Sequence, residues 1–326
     1  MGLLTGGHLS ISVFKVNTQL GLQGMVTAAE KHRYPADPTE PSNGWGSTSD
    51  DPLFAGPEGV RIKKYKGFKL AAAKNHVDTP ILALRYYYDL YDPKLVRRFT
   101  SDADWRLISV RHSFDVLLLD EGEPNQITAL VTTRKADEVD NYVRQALNEL
   151  VEDETPPGTI TSSSVTEELE PDFFLWLLYM HHKNRRIAPM VKLSGISDMN
   201  SVYVGKRANM SRGVDMSSEV SLSLVGRNRA AFGPARVALY HYAEPEGYFE
   251  LQVYPDGGFH IYTGSKYDDQ ELKKLPPAQS RPRMVQDIWQ TILPPIRAAH
   301  KADSAWRDSE RAQFVKWSKE ELKKFL

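Results

Sequence analysis

Five ionisable side chains crowd into the six residues His181-His182-Lys183-Asn184-Arg185-Arg186, directly behind the apolar run Phe173 to Met180. A buried element ending in such a run delivers positive charge to the surface. Lys and Arg placed there capture phosphate oxygens, Arg through paired donors. Similar groupings recur. Lys63-Lys64-Tyr65-Lys66-Gly67-Phe68-Lys69 alternates cations with aromatics, and Arg97-Arg98, Lys206-Arg207 with Arg212, and Arg227-Asn228-Arg229 extend the set. The candidate DNA-binding residues are therefore Lys63, Lys64, Lys66, Lys69, Arg97, Arg98, His182, Lys183, Arg185, Arg186, Lys206, Arg207, Arg212, Arg227 and Arg229. One cluster alone is more often a solvated face. Clusters in both halves of a chain with net charge −1 point to a nucleic-acid backbone held without sequence reading.

Other chemistries find little support. His181 and His182 are adjacent, so on a helix they face different ways and do not share one ion; cations at a helix C-terminus interact favourably with its dipole. The chain has no cysteine, which removes thiolate zinc sites, disulfides and a cysteine nucleophile. Asp115, Asp120, Glu121 and Glu123 with Glu250 are the one carboxylate set for magnesium. A nuclease with Asp and Glu-x-Lys on neighbouring strands needs Lys where Gln252 stands. The Ser nucleophile motif, the phosphate-cradling loop with its Lys, and the dinucleotide fingerprint are absent. Tyr248, Tyr254 and Tyr262 share one strand face and either stack bases or pack against a helix or second copy.

The elements that must position these residues follow from periodicity. Leu9, Ile11 and Val13 alternate as a strand. Ala36 to Gly59, rich in Pro, Gly, Ser and Asp, reads as a long loop, and Val60 to Ala73 as a hairpin turning at Lys66-Gly67. Ile81 to Tyr91 fits helix or strand. Phe114 to Leu119, an acidic turn and Ile127 to Val131 form a second hairpin. Val139, Tyr142, Val143, Ala146, Leu147 and Leu150 trace one helical stripe behind Asp137 and Glu138. Glu152 to Glu170 has acids, Pro156-Pro157-Gly158 and no base, a linker composition. Beyond it come a helix at 173–180, strands at 188–193, 202–204 and 220–225, a basic loop at 205–213 and a β-meander over 236–263 with Phe249, Leu251, Val253, Phe259 and Ile261 inward. C-terminal helices follow, interrupted at Pro294-Pro295, with a capping box from Ser318 to Glu321.

The chain of 326 residues is thus expected to be α+β with two domains, each of antiparallel strands and hairpins packed against helices. Residues 1–152 form the N-terminal domain with loop 36–59, 153–170 the linker, and 171–326 the C-terminal domain. An apolar fraction of 41% and a charged fraction of 25% are ordinary for a soluble protein. No apolar run approaches the ~20 residues that span a bilayer, so a cytoplasmic location without direct membrane insertion is expected.

Three features in this order resemble the RexA family of prophage superinfection-exclusion proteins. They are Leu9-Ser10-Ile11-Ser12-Val13-Phe14; the unit from Phe114-Asp115-Val116-Leu117-Leu118-Leu119-Asp120-Glu121-Gly122 through Ile127-Thr128-Ala129-Leu130-Val131 to Asp137-Glu138-Val139-Asp140-Asn141-Tyr142; and the late meander ending in Gly257-Gly258-Phe259-His260 before a C-terminal helix. The similarity covers about half the chain. The resemblance implies a cytoplasmic, homodimeric, two-domain DNA-binding protein that acts in phage exclusion with a membrane-protein partner. Defence proteins of the Kiwa type show much the same pattern. The expectation is a non-enzymatic, sequence-tolerant binder of double-stranded DNA with no cofactor. The alternatives are a metal-dependent nuclease of a phage-defence system and a protein-interaction module that binds no nucleic acid.

Overall fold

The computed structural model describes residues 7–35, 37–47, 53–55, 59–61, 81–99, 104–162, 168–203, 206–211, 213–227, 231–275 and 277–325. Packing divides the chain into two units. Unit 1 is Met1–Ser164 with Pro277–Pro282, and unit 2 is Val165–Pro276 with Arg283–Leu326. Both combine an antiparallel sheet with helices, an α+β architecture.

In unit 1 the sheet runs β8 (Thr159–Ser162), β1 (Leu9–Asn17), β7 (Gln126–Val131), β6 (Ser109–Leu119), β5 (Ile81–Tyr91) and β2 (Asn43–Ser47), every neighbour antiparallel. One face carries Leu82, Leu84, Tyr86, Phe114, Val116 and Val131, which pack with α1 (Leu22–Lys31) and α4, a helix of Ala136–Glu138, a wider turn at Val139–Val143, and Arg144–Glu149. The stripe read from the sequence is the buried one: Val143, Ala146, Leu147 and Leu150 are inaccessible, each large aliphatic contributing about 1.5–3 kcal/mol. Ile81 to Tyr91 resolves as a strand, as its β-branched and aromatic content favours.

Two expectations in unit 1 are corrected. The loop at 36–59 contains β2, an edge strand pairing Trp45 with Tyr86, and the short pair β3 (Leu53–Ala55) and β4 (Gly59–Arg61). Gly44 lets the chain lie flat there: its φ is +150° and a Cβ would meet the Tyr34 nitrogen at 2.6 Å. Trp45 is fully buried, which overrides the loop-like composition. The segment expected as linker, 153–170, holds β8, whose Ile160 lies opposite Val16, so Thr159–Ser162 belongs to the sheet. The hairpin expected at 60–73 lies, beyond Arg61, outside the described residues.

Unit 2 is built on a long, bulged strand β10 (Val191–Tyr203). Along one edge it pairs β9 (Arg186–Ala188) and β11 (Lys206–Met210); on the other come β12 (Ala231–His241), β13 (Gly247–Val253) and then β14 (Phe259–Ile261) and β15 (Lys266–Tyr267). The meander appears with the expected inner face: Phe249, Leu251, Val253, Phe259 and Ile261 are buried. Helix α5 (Pro171–His182) packs on β10 and β12.

Corrections in unit 2 have local causes. Within the segment expected as a basic loop, 205–213, Lys206–Met210 is a strand that returns along β10. Residues 220–225 are helical, within α6 (Glu219–Gly226). Val-Ser-Leu-Ser-Leu-Val alternates like a strand, but Ser218 caps the helix by accepting from the Ser221 amide, Glu219 occupies its first turn, and Leu222, Leu224 and Val225 are buried. Pro294-Pro295 does not interrupt the C-terminal helix. The wider turn Ile288–Ile292 precedes Leu293–Ala302 and absorbs the missing donors, while Val285, Ile288, Trp289 and Ile292 stay buried. Ser318 is not a cap. It lies inside α9 (Arg311–Leu322) and its hydroxyl donates to the Leu222 carbonyl at 2.7 Å.

Candidate nucleic-acid interface

Helix α5 begins with Pro171 in its first turn and Asp172 beside it, both suited to that end. It stops where Asn184 takes a left-handed φ of 48°, so that the Arg185 amide bonds the Met180 carbonyl at 3.0 Å. This turn splits the expected basic cluster. Lys183 and Arg185 stay beside the helix, 6.0 and 5.3 Å from the Tyr179 ring, and Arg185 is paired with Glu310 at 3.3 Å. Arg186 starts β9 and lies over the Tyr242 ring at 5.4 Å. His182 is not a cation of the site. Its ring packs on Trp317 at 4.2 Å, and burial first, then the charges of Lys183 and His181, hold its pKa below the usual histidine value.

Strand register decides what Arg186 faces. A bulge sets Arg186 opposite Lys192; Lys192 is opposite Tyr240, Tyr240 opposite Tyr248, and Tyr248 opposite Lys266. Direct cross-strand partners share a face, with Cβ atoms roughly 4.5–5.5 Å apart. One row therefore crosses the sheet as Arg186, Lys192, Tyr240, Tyr248, Lys266. These positions are half-exposed or exposed, whereas the residues between them are buried. Tyr242 extends the row, 4.6 Å from Tyr240. Among the described residues, none of Arg186, Lys192 and Lys266 is ion-paired.

The rest of this open face is more balanced. Arg236 stacks on Tyr262 at 3.8 Å and pairs with Glu250 at 2.7 Å and Asp198 at 3.9 Å. The Tyr240 hydroxyl lies 2.9 Å from both Glu246 and Asp268; hydrogen bonding to Asp268, then to Glu246, raises its pKa and fixes the ring. The row thus offers cations and aromatic rings with Glu246 and Asp268 beside Tyr240, while Asp198 and Glu250 surround Arg236 further along the face.

The remaining sequence candidates are dispersed. Arg97 and Arg98 are exposed in unit 1, after the short helix α2 (Pro93–Val96). Lys206 and Arg207 lie on β11, opposite Tyr203 and Val202. Arg227 ends α6 and is exposed. Lys63, Lys64, Lys66, Lys69, Arg212 and Arg229 lie outside the described residues. Lys192, Tyr240 and Lys266 were missed as site residues. Strand alternation marks each as outward-facing, but only the register assembles them.

Three of the five magnesium carboxylates are committed elsewhere. Asp115 is inaccessible and accepts two bonds from Arg85, at 2.6 and 3.0 Å. Glu121 accepts from Thr128 and, at 3.3 Å, from Lys15. Glu250 holds Arg236. Among the described residues no group of three His, Cys, Asp or Glu is arranged to hold a metal ion, and no helix is long and apolar enough to cross a membrane. No protein-family model matches the chain, and no curated protein matches it.

Proposed function

We propose that this protein is a non-enzymatic, sequence-tolerant DNA-binding protein that holds duplex phosphates on the open face of the unit 2 sheet. The observation that carries the reading is the row Arg186, Lys192, Tyr240, Tyr248, Lys266, in which three cations, none of them ion-paired among the described residues, flank tyrosines held by the sheet. Lys and Arg contribute backbone affinity that depends on counterion release, and the Tyr248 hydroxyl donates to phosphate, the Tyr240 hydroxyl being held by Asp268 and Glu246. Lys183 lies at the end of the neighbouring helix and adds field, while Arg185 contributes less because Glu310 already binds it. The setting in phage exclusion, as a homodimer acting with a membrane protein, is the one the RexA resemblance implies.

A gel-shift titration of duplex DNA tests the reading. The wild-type chain retards duplexes of unrelated sequence with similar affinity and leaves them intact in the presence of magnesium. Arg186→Gln, Lys192→Gln and Lys266→Gln together weaken binding about tenfold or more near physiological salt. Equal affinity in that triple variant, or cleavage of the DNA, overturns it.

A further inference from the structure

A second basic region, in unit 1, differs from the sheet row in the company its cations keep. The connection from β5 to β6 leaves Tyr91 with 52% of its surface exposed, Val96 with 44% and Phe99 with 42%. Leu90 and Val110, cross-strand partners at the same end, are each 36% exposed. Lys94, Arg97 and Arg98 are exposed among them, and none has an ion-pair partner among the described residues. Among the described residues the nearby acids are already used. Asp92 caps α2 by accepting from the Lys94 amide at 2.7 Å. Asp104 accepts from the Arg106 amide at 3.0 Å and lies 3.6 Å from its guanidinium. Asp89 is buried against Arg111 at 2.8 Å.

Apolar side chains left in water beside cations with no ion-pair partner among the described residues suit a surface that is apolar within and anionic at its boundary. A DNA backbone offers charge and no apolar phase for Val96 and Phe99. An anionic bilayer offers both, with apolar side chains dipping to the acyl boundary and Lys and Arg at the headgroups. We propose that the β5–β6 connection, through Tyr91, Val96 and Phe99 with Lys94, Arg97 and Arg98, docks the protein on an anionic lipid surface. The contact is peripheral, since the segment inserts side chains and does not span.

Flotation of the full chain with phosphatidylserine-containing vesicles and with pure phosphatidylcholine vesicles tests this. The wild type floats with the first and not the second, and added salt weakens the association. Arg97→Gln with Arg98→Gln reduces binding by more than about tenfold, from roughly 1 kcal/mol per cation near the surface. Val96→Ser with Phe99→Ser reduces it at unchanged charge, and thermal melts check that both variants fold. The serine pair leaves duplex affinity unchanged, so this proposal and the sheet-face reading fail separately. Absence of wild-type flotation overturns it, as does flotation insensitive to either pair. Loss of duplex affinity in the arginine pair assigns those residues to DNA and overturns it too. So does a concentration-dependent dimer that the serine pair abolishes without vesicle binding, which makes the patch a self-association surface.

Discussion

Each unit ties neighbouring strands together with an arginine and a carboxylate, yet the two pairs live in different surroundings. Arg85 and Asp115 in unit 1 have side chains 2% and 0% exposed; Arg236 and Glu250 in unit 2 are 30% and 23% exposed. The unit 1 sheet buries both faces, so its charges had to be matched on folding, and the Asp115 backbone amide is satisfied separately by donating to the Thr132 hydroxyl at 2.8 Å. The unit 2 sheet covers one face and leaves the other open, so its charges remain available to a ligand. The same chemical pair fastens one sheet and tunes the surface of the other. Burial, rather than residue type, separates the charge pair fixed inside unit 1 from the pair that unit 2 keeps at its surface.

The largest effect expected from this contrast is in unit 1. Asp115→Ala strands the Arg85 guanidinium in the interior and costs about 3–5 kcal/mol, read from urea unfolding. A loss below about 1 kcal/mol would mean that the pair is solvated and the contrast false. Glu250→Gln breaks the corresponding pair in unit 2 at a cost within about 1 kcal/mol. On the proposed reading duplex affinity rises a few-fold in this variant, since a carboxylate leaves the face assigned to phosphates.

How much of this was legible in the sequence depends on the range of the signal. The α4 stripe and the inner face of the meander were readable because 3.6- and 2-residue periods are local. The strand at 43–47 was not, since its evidence is one buried Trp45 behind a glycine that admits an unusual φ. Val220 to Val225 carried a strand's alternation, and the serine cap before it decided otherwise. The basic run at 181–186 was visible, but its division was not. Arg186 parts from Lys183 and Arg185 through one left-handed residue, Asn184, and then meets Lys192 through a bulge. Lys266 joins the row from 74 positions away in the chain, 266 − 192, which no local pattern encodes.

An effect of intermediate size concerns α5, the helix packed on β10 and β12. Asp172, at the start of α5, accepts from Trp306 Nε1 at 2.7 Å, Arg311 Nε at 2.6 Å and His300 Nε2 at 3.4 Å. Burial raises its pKa, but these bonds and the Arg311 charge outweigh burial and hold it at about 2, against 3.8 ordinarily. A carboxylate with a depressed pKa contributes stability above its unfolded value and loses it as pH falls through the folded one. Unit 2 is therefore expected to lose stability between about pH 4 and pH 2. Asp172→Asn flattens that part of the profile and lowers stability at neutral pH by about 1–3 kcal/mol. An unchanged acid profile in the variant would assign the loss to other carboxylates.

The central claim is that cations brought into register on the unit 2 sheet hold phosphates. The slope of duplex affinity against salt concentration, on logarithmic axes, tests it most directly. Each phosphate contact contributes about 0.9 to that slope, so Arg186→Gln, Lys192→Gln and Lys266→Gln together should flatten it by about 2–3 relative to wild type. Parallel lines for the two proteins would show that no phosphate is held there and would contradict the account.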